Sequence, residues 1–197
     1  MFWTSRTSTL EKQHFEKFRR SDWPVSNSRV FLLLALFVLV LAGTWFYLSK
    51  KYHNPIGDSL TVYYTKNDGT TEVPWTVSMR PPNHGESGEE HLANAALYAA
   101  VQAVAGPPST TPAIRFPVGT VVGSVHVTGS TAEVDLTGAV KSGTGSFDES
   151  GEFKSLVWTL TALPNIDAVG IRIDGQRLNS LPGGHLELDK PLRRSDW

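Results

Sequence analysis

The sequence predicts an α+β domain, two helices packed on one face of a mixed β-sheet, preceded by one transmembrane helix. Three observations predict it. Val30–Leu48 carries no charged side chain. Beyond it, segments of strand and helix periodicity alternate in the order ββ-α-ββ-α-ββ, each bounded by turn or cap residues. Both expected helices in that stretch carry an apolar stripe, which is buried when the two are laid side by side on a sheet.

The run VFLLLALFVLVLAGTWFYL comes first. As a helix it covers about 28 Å, at about 1.5 Å per residue. That nearly matches the roughly 30 Å hydrocarbon core of a bilayer. A helix also satisfies its own backbone polar groups in lipid. A helix in a soluble core keeps a polar stripe, and this one has none. A cleaved signal peptide has a shorter apolar region, about 7–15 residues, ending in small residues. Here Ala42-Gly43 is followed by Trp45, Phe46 and Tyr47, which suit a membrane interface. The expected anchor therefore includes Val30, Phe31, Leu32, Leu36, Leu41, Trp45 and Leu48, with the lipid bilayer as partner. Arg6, Lys12, Lys17, Arg19, Arg20 and Arg29 precede it, against Lys50 and Lys51 just after it. The positive-inside rule then places the N-terminus in the cytoplasm and the rest outside the cytoplasmic membrane.

The expected organisation is a basic cytoplasmic tail (1–29), a transmembrane helix (30–48), a linker (49–58), an extracytoplasmic domain (59–192) and a C-terminal tail (193–197). In the first tail Leu10, Phe15 and Phe18 fit one or two amphipathic turns. The chain has no cysteine, which excludes disulfides, thiolate metal sites and a cysteine nucleophile. Residues 50–197 carry twelve Lys and Arg against sixteen Asp and Glu. That mildly acidic balance offers no electrostatic footprint for nucleic acid.

Leu60–Thr65 is rich in strand formers, and Asn67-Asp68-Gly69 is a turn signal. Glu72–Met79 reads as the returning strand, with Pro74 marking an edge or bulge. A helix starts at Ser87, which with Glu90 forms a capping box. It carries Leu92, Ala96, Ala99 and Ala103 along one stripe and stops at Gly106-Pro107-Pro108. Val121–Thr128 and Thr131–Thr137 form a hairpin around Gly129-Ser130, with Val125 facing Val134, Val127 facing Ala132 and His126 facing Glu133. A second helix is expected over 147–163, with Ser146 and Glu149 as capping box. Ala168–Ile173 is a strand, Asp174-Gly175 a type I′ turn, and Gln176–Leu178 a return strand that pairs Leu178 with Ile171.

From Leu60 to Leu192 these residues resemble the GerMN domain of sporulation and spore-germination proteins. The markers are Val62-Tyr63-Tyr64, Ala105-Gly106-Pro107, Gly119-Thr120 with Val125 and Val127, and Ala132-Glu133-Val134-Asp135-Leu136. They continue with Leu156–Pro164 before Val169, and with Ile173-Asp174-Gly175 followed by Gly184-His185-Leu186. The resemblance implies an exported α/β domain like the ring-building modules of envelope assemblies, and it brings no catalytic residues. Related sporulation proteins often carry two copies and a lipid anchor; this chain shows one copy and an apolar helix.

The side chains that chemistry would use are dispersed. His84, Glu86, Glu89, Glu90 and His91 lack metal-ligand spacing and read as a loop and a helix start, where acidic groups suit the helix dipole. Glu133 and Asp135 share a strand face with His126, the paired-carboxylate pattern of a glycosidase, but also that of a polar outer face. Gly183-Gly184-His185 has no helix and Lys-Ser/Thr after it, so it reads as a turn and not a phosphate loop. The expectation is a non-enzymatic module with no catalytic, metal or cofactor site. Its expected partners are envelope proteins or cell-wall polymer, including self-association into a homo-oligomer, with Trp75 as candidate contact residue. A cell-wall hydrolase or a small-ligand sensor are the alternatives.

Overall fold

The computed structural model describes residues 28–52, 56–142, 145–182 and 186–197. The Leu10/Phe15/Phe18 turns and the Gly183-Gly184-His185 turn lie outside the described residues. The chain divides into two units, Met1–Tyr47 and Leu48–Trp197.

Helix α1 (Ser28–Tyr52), most of which belongs to the first unit, holds the apolar run. None of Val30–Leu48 is buried against protein. The Thr44 hydroxyl donates to the Val40 carbonyl at 2.8 Å, so it needs no partner outside the helix. The helix continues through Ser49–Tyr52, so the linker expected from Ser49 begins as helix.

The second unit opens with a hairpin of β1 (Ser59–Thr65) and β2 (Glu72–Ser78). Asp68 shapes its turn, accepting the Thr70 and Thr71 amides at 2.8 Å each. The register sets Val62 opposite Trp75 and Tyr63 opposite Pro74, without a bulge. The Tyr63 and Thr65 amides point away from β2 and donate to Thr159 Oγ1 and Ser155 Oγ, each at 2.9 Å. Backbone direction alternates along a strand, so the position opposite Tyr63 turns its nitrogen to the outer edge of β2. Pro74 occupies that position, and its missing N–H costs no ladder bond.

Helix α2 (Gly88–Ala105) starts in the expected capping box of Ser87 and Glu90. Gly106 ends it at φ 79°, a left-handed value that favours glycine. Ala95, Ala96, Ala99, Ala100 and Ala103 are all buried, so the small side chains bring the helix close to its neighbours. Strands β3 (Val122–Thr128) and β4 (Thr131–Leu136) pair in the expected register, with one irregularity between Val122 and Ser124.

Helix α3 (Ser146–Leu160) departs from expectation at both ends. It begins one residue early: Gly145 is the cap, its carbonyl takes the Glu149 amide, and no side chain caps the start. The Ser146/Glu149 capping box is therefore absent, because Ser146 is already inside the helix. At the other end Thr161 caps the helix, before the expected stop at 163. Strand β5 (Ala168–Ile173) then runs parallel to β4, giving the order β3-β4-β5. A parallel neighbour needs a crossover, and α3 supplies it.

The strands thus form an α+β structure with two sheets instead of one, the β1-β2 hairpin and the mixed β3-β4-β5 sheet. Helix α2 packs on β1 and β3, α3 packs on β1 and β5, and the helices pack on each other. The return strand at Gln176–Leu178 does not form. Asp174 (φ 53°) and Gly175 (φ 77°) make the expected turn, but it closes only the Ile173–Gln176 bridge. At its other end β5 instead bridges Leu192 through Val169.

Candidate interaction surface

Trp75 lies on the same face of its hairpin as Val62, its register partner. Val62 is wholly buried, because α2 covers β1; Trp75, on the outer strand, keeps 42% of its surface exposed. Leu97 and Val101, one turn apart on α2, are exposed too. A groove of about 550 Å³ lies between the end of β2 and α2, lined by Ser78, Met79, Arg80, Asn94, Leu97, Tyr98 and Val101. Its wall is apolar and its polar end is tied down by Glu86. Arg80 grips that carboxylate with two bonds, at 3.0 and 3.1 Å. The Asn83 amide (2.6 Å) and Asn94 Nδ2 (2.7 Å) complete the set. The Arg80 guanidinium first, then these two donors, hold the Glu86 carboxyl down at about 2.

This geometry accounts for the acidic and histidine residues clustered in the sequence. Glu86 fastens the loop, Glu90 closes the capping box, and His84 and Glu89 are exposed. His91 is buried with Nδ1 3.5 Å from Glu86 Oε1. Among the described residues no group of three His, Asp or Glu is arranged to hold a metal.

The Glu133–Asp135 pair is engaged in the same way. Parallel pairing of β5 sets Arg172 opposite Asp135 and Gly170 opposite Glu133. The Glu133 carboxylate lies over Gly170, whose missing side chain leaves the room. It meets Arg172 Nε at 3.5 Å and also Arg177. Asp135 accepts the Gly175 amide at 2.9 Å. Two guanidinium groups thus occupy the Glu133 carboxylate. His126 faces Glu133 across the hairpin as expected, but neither arginine is legible there: Arg172 comes from the parallel strand β5 and Arg177 from beyond the turn that follows it. On α3 the Glu152 carboxyl is pushed up to about 8, by burial first and then by Asp148 and Glu149.

A family model described as "Germane: Sporulation and spore germination" matches residues 61–179. The chain belongs to that family. The fold is similar to the first GerMN domain of the sporulation protein GerM from Bacillus subtilis (26% identity, TM-score 0.54), covering 70% of this chain and 98% of that one. It is likewise similar to the tandem GerMN domains of the same protein (25% identity, TM-score 0.55). There the match covers 71% of this chain and 47% of the tandem chain, about half its length. No curated protein matches the chain.

The GerMN domain carries one more built surface, at its C-terminal segment. Residues Arg194–Asp196 form a single 3-10 turn. Arg194 donates to Thr161 Oγ1 at 2.7 Å and to the Trp158 carbonyl at 2.8 Å. Its guanidinium lies 5.5 Å from the Tyr63 ring and 5.6 Å from the Trp158 ring. Trp197 meets Trp158 edge-on at 5.6 Å and donates to Ser150 Oγ at 3.0 Å. The C-terminal tail, Arg193–Trp197, is thus docked on α3 and β1.

Proposed function

We propose that this protein is a membrane-anchored, non-catalytic binding or assembly module of the bacterial cell envelope. Val30–Leu48 spans the cytoplasmic membrane with the N-terminus inside, and the GerMN domain stands outside. The observation that carries the binding reading is apolar surface left exposed on α2 and β2: Leu97 and Val101 line an apolar groove, and Trp75 is exposed on β2. Large apolar side chains clustered on a surface mark contact sites. The fold likeness to a sporulation protein supports an envelope role, and the exposed apolar helix supports the anchor.

The partner is an envelope protein or a second copy of the chain, with cell-wall polymer as the remaining option. Photo-crosslinking in membranes from position 97 tests this. The expected result is a discrete crosslinked species that disappears when Trp75→Ala and Val101→Asp are combined. The absence of any adduct, or an adduct unchanged by both substitutions, overturns the assignment of this surface. The alternative of a wall-polymer hydrolase draws no support from Glu133, which two arginines hold.

A further inference from the structure

The Glu86 carboxylate has no acceptor site left. Oε1 takes Arg80 Nη2 at 3.1 Å and Asn94 Nδ2 at 2.7 Å, and Oε2 takes Arg80 Nη1 at 3.0 Å and the Asn83 amide at 2.6 Å. A carboxylate has about four lone-pair sites, so these bonds fill it. His91 stands beside it on α2, buried, with Nδ1 3.5 Å from Oε1. That is too long for a hydrogen bond. Neither ring nitrogen of His91 has a hydrogen-bond partner among the described residues. The ionisable groups of the elements packed on α2 are engaged elsewhere. Tyr64 of β1 donates to the Gln102 carbonyl, near the other end of α2, at 3.3 Å. Lys154 of α3 pairs with Glu72 at 3.4 Å. Asp148, Glu149 and Glu152 share the start of α3, where the Phe147 ring lies against Gly69 in the turn of the first hairpin. His126 of β3 is exposed opposite Glu133, and Asp58, just before β1, is exposed too. On α2 itself Glu90 takes the Ser87 amide and Glu89 is exposed.

A neutral His91 therefore leaves Arg80 clamped on Glu86. An imidazolium in the same place is a buried charge, which is tolerated only with a partner. The partner at hand is Glu86, which is held at about 2 and stays an anion at any milder pH. To take Oε1, the imidazolium must displace Arg80 Nη2 or Asn94 Nδ2. Arg80 carries the same charge as the imidazolium and is repelled by it. Its side chain is also 43% exposed, so water replaces the lost bond at little cost. Arg80 is thus the donor that gives way, and it lines the groove together with Leu97 and Val101. We propose that His91 is a proton-operated latch on this groove: neutral, it leaves Arg80 on Glu86; protonated, it takes Glu86 and frees the guanidinium for an anionic group of the partner. The inference rests on the reading of the groove as a contact surface, and adds its regulation and the charge of what it takes. In acid the groove receives an apolar segment that carries an anionic group. The apolar wall takes the segment, and the Arg80 fork takes the charge.

The test is NMR of the full chain in detergent micelles, titrated from about pH 8 to about pH 5, the range in which histidine takes up a proton. The ring nitrogens of His91 should convert from the unlike signals of a neutral ring to the like signals of imidazolium. The Arg80 Nε and Asn83 amide signals should shift with the same midpoint, and His91→Gln should abolish those shifts. Butanesulfonate, an apolar tail with an anion that stays charged throughout, serves as the probe. It should move the Leu97 and Val101 methyl signals and the Arg80 signal at the acid end and leave them in place at the alkaline end, while butanol acts alike at both. Three results overturn the proposal: His91 keeping its neutral signals across the range, Arg80 and Asn83 shifts that survive His91→Gln, or butanesulfonate acting alike at both ends. If His91→Gln does not fold, the parent titration decides, and separate midpoints for His91 and Arg80 overturn the latch. Crosslinking from position 97 reports on the surface itself. A captured partner with an inert His91 sinks the latch alone, and a working latch without an adduct sinks the partner assignment alone.

Discussion

Burial lifts the Glu152 carboxyl well above the ordinary carboxylate range. It lies on α3 among buried neighbours, with Asp148 and Glu149 one turn before it, and its carboxyl holds a proton up to about 8. The unfolded chain releases that proton near the ordinary carboxyl value of 4.5. Between those two values the folded state binds more protons than the unfolded one, so stability falls as pH rises through the window. Glu152→Gln keeps the shape of the protonated acid and removes the titration. The variant should melt like the parent at pH 4 and be more stable by about 2 kcal/mol at pH 8. Parallel melting curves at both pH values would contradict the assignment. Glu86 works in the opposite sense. Its carboxyl is held at about 2, so its contribution is present above the ordinary range and is lost as pH falls toward that value. The two carboxyls were hard to tell apart in the sequence. Both stand near a helix start among other acids, and only the arrival of Arg80 at one and of packed core at the other separates them.

At the level of elements, the junction of α3 with β1 organises the domain. The inner edge of β1 has no strand beside it, and α3 fills that place with two hydroxyls. Ser155 and Thr159 take the Thr65 and Tyr63 amides, and Thr65 Oγ1 bonds Glu72, the Gly151 carbonyl and Ser155 Oγ. A buried amide left without a partner costs about 1–3 kcal/mol. Thr159→Val conserves shape and removes the acceptor. It should lower stability by about that amount and speed hydrogen exchange at the Tyr63 amide, read by NMR. No periodicity announces this junction. The sequence shows the apolar stripe of α3, but Lys154, Ser155 and Thr159, which lie beside that stripe, are buried as well. The local elements were legible because their signals are local: the Ser87/Glu90 cap, the Gly129-Ser130 hairpin and its register, and the Asp174-Gly175 turn. The return strand expected after that turn does not form; beyond Ile173–Gln176, β5 bridges only Leu192 at its other end, a contact that no local signal marks. Pro74 shows how the other edge is managed. With its nitrogen facing outward, it removes one donor from the free edge of β2 and so discourages strand addition. Pro74→Thr restores that donor. Sedimentation of the detergent-solubilised chain should then show more self-association than the parent; an unchanged distribution would mean that the edge is guarded by something else.

For the molecule as a whole, the question is what α1 does for the domain. Its apolar length matches a bilayer, its described side chains from Val30 to Leu48 are all exposed, and its Thr44 hydroxyl is satisfied within the helix. A helix of this kind has no stable place in water, whereas a bilayer covers it without further protein contacts. A signal peptide passes the same test of composition, so retention and the first residue of the mature protein are what discriminate. If the helix is an uncleaved anchor, the protein resists alkaline extraction and its N-terminal tail is present in the membrane-bound form. Cleavage after Gly43 would instead give a soluble chain starting at Thr44. Two arginines placed at Val38 and Leu39, the centre of the run, each cost about 3 kcal/mol of insertion free energy. That double substitution should move most of the protein into the extractable fraction while its domain keeps the parent's circular dichroism above 200 nm. Retention unchanged by two central charges would mean that the domain holds to the membrane by its own surface. The exposed face of β2 and α2 would then be the place to look for lipid contact, and not for a protein partner.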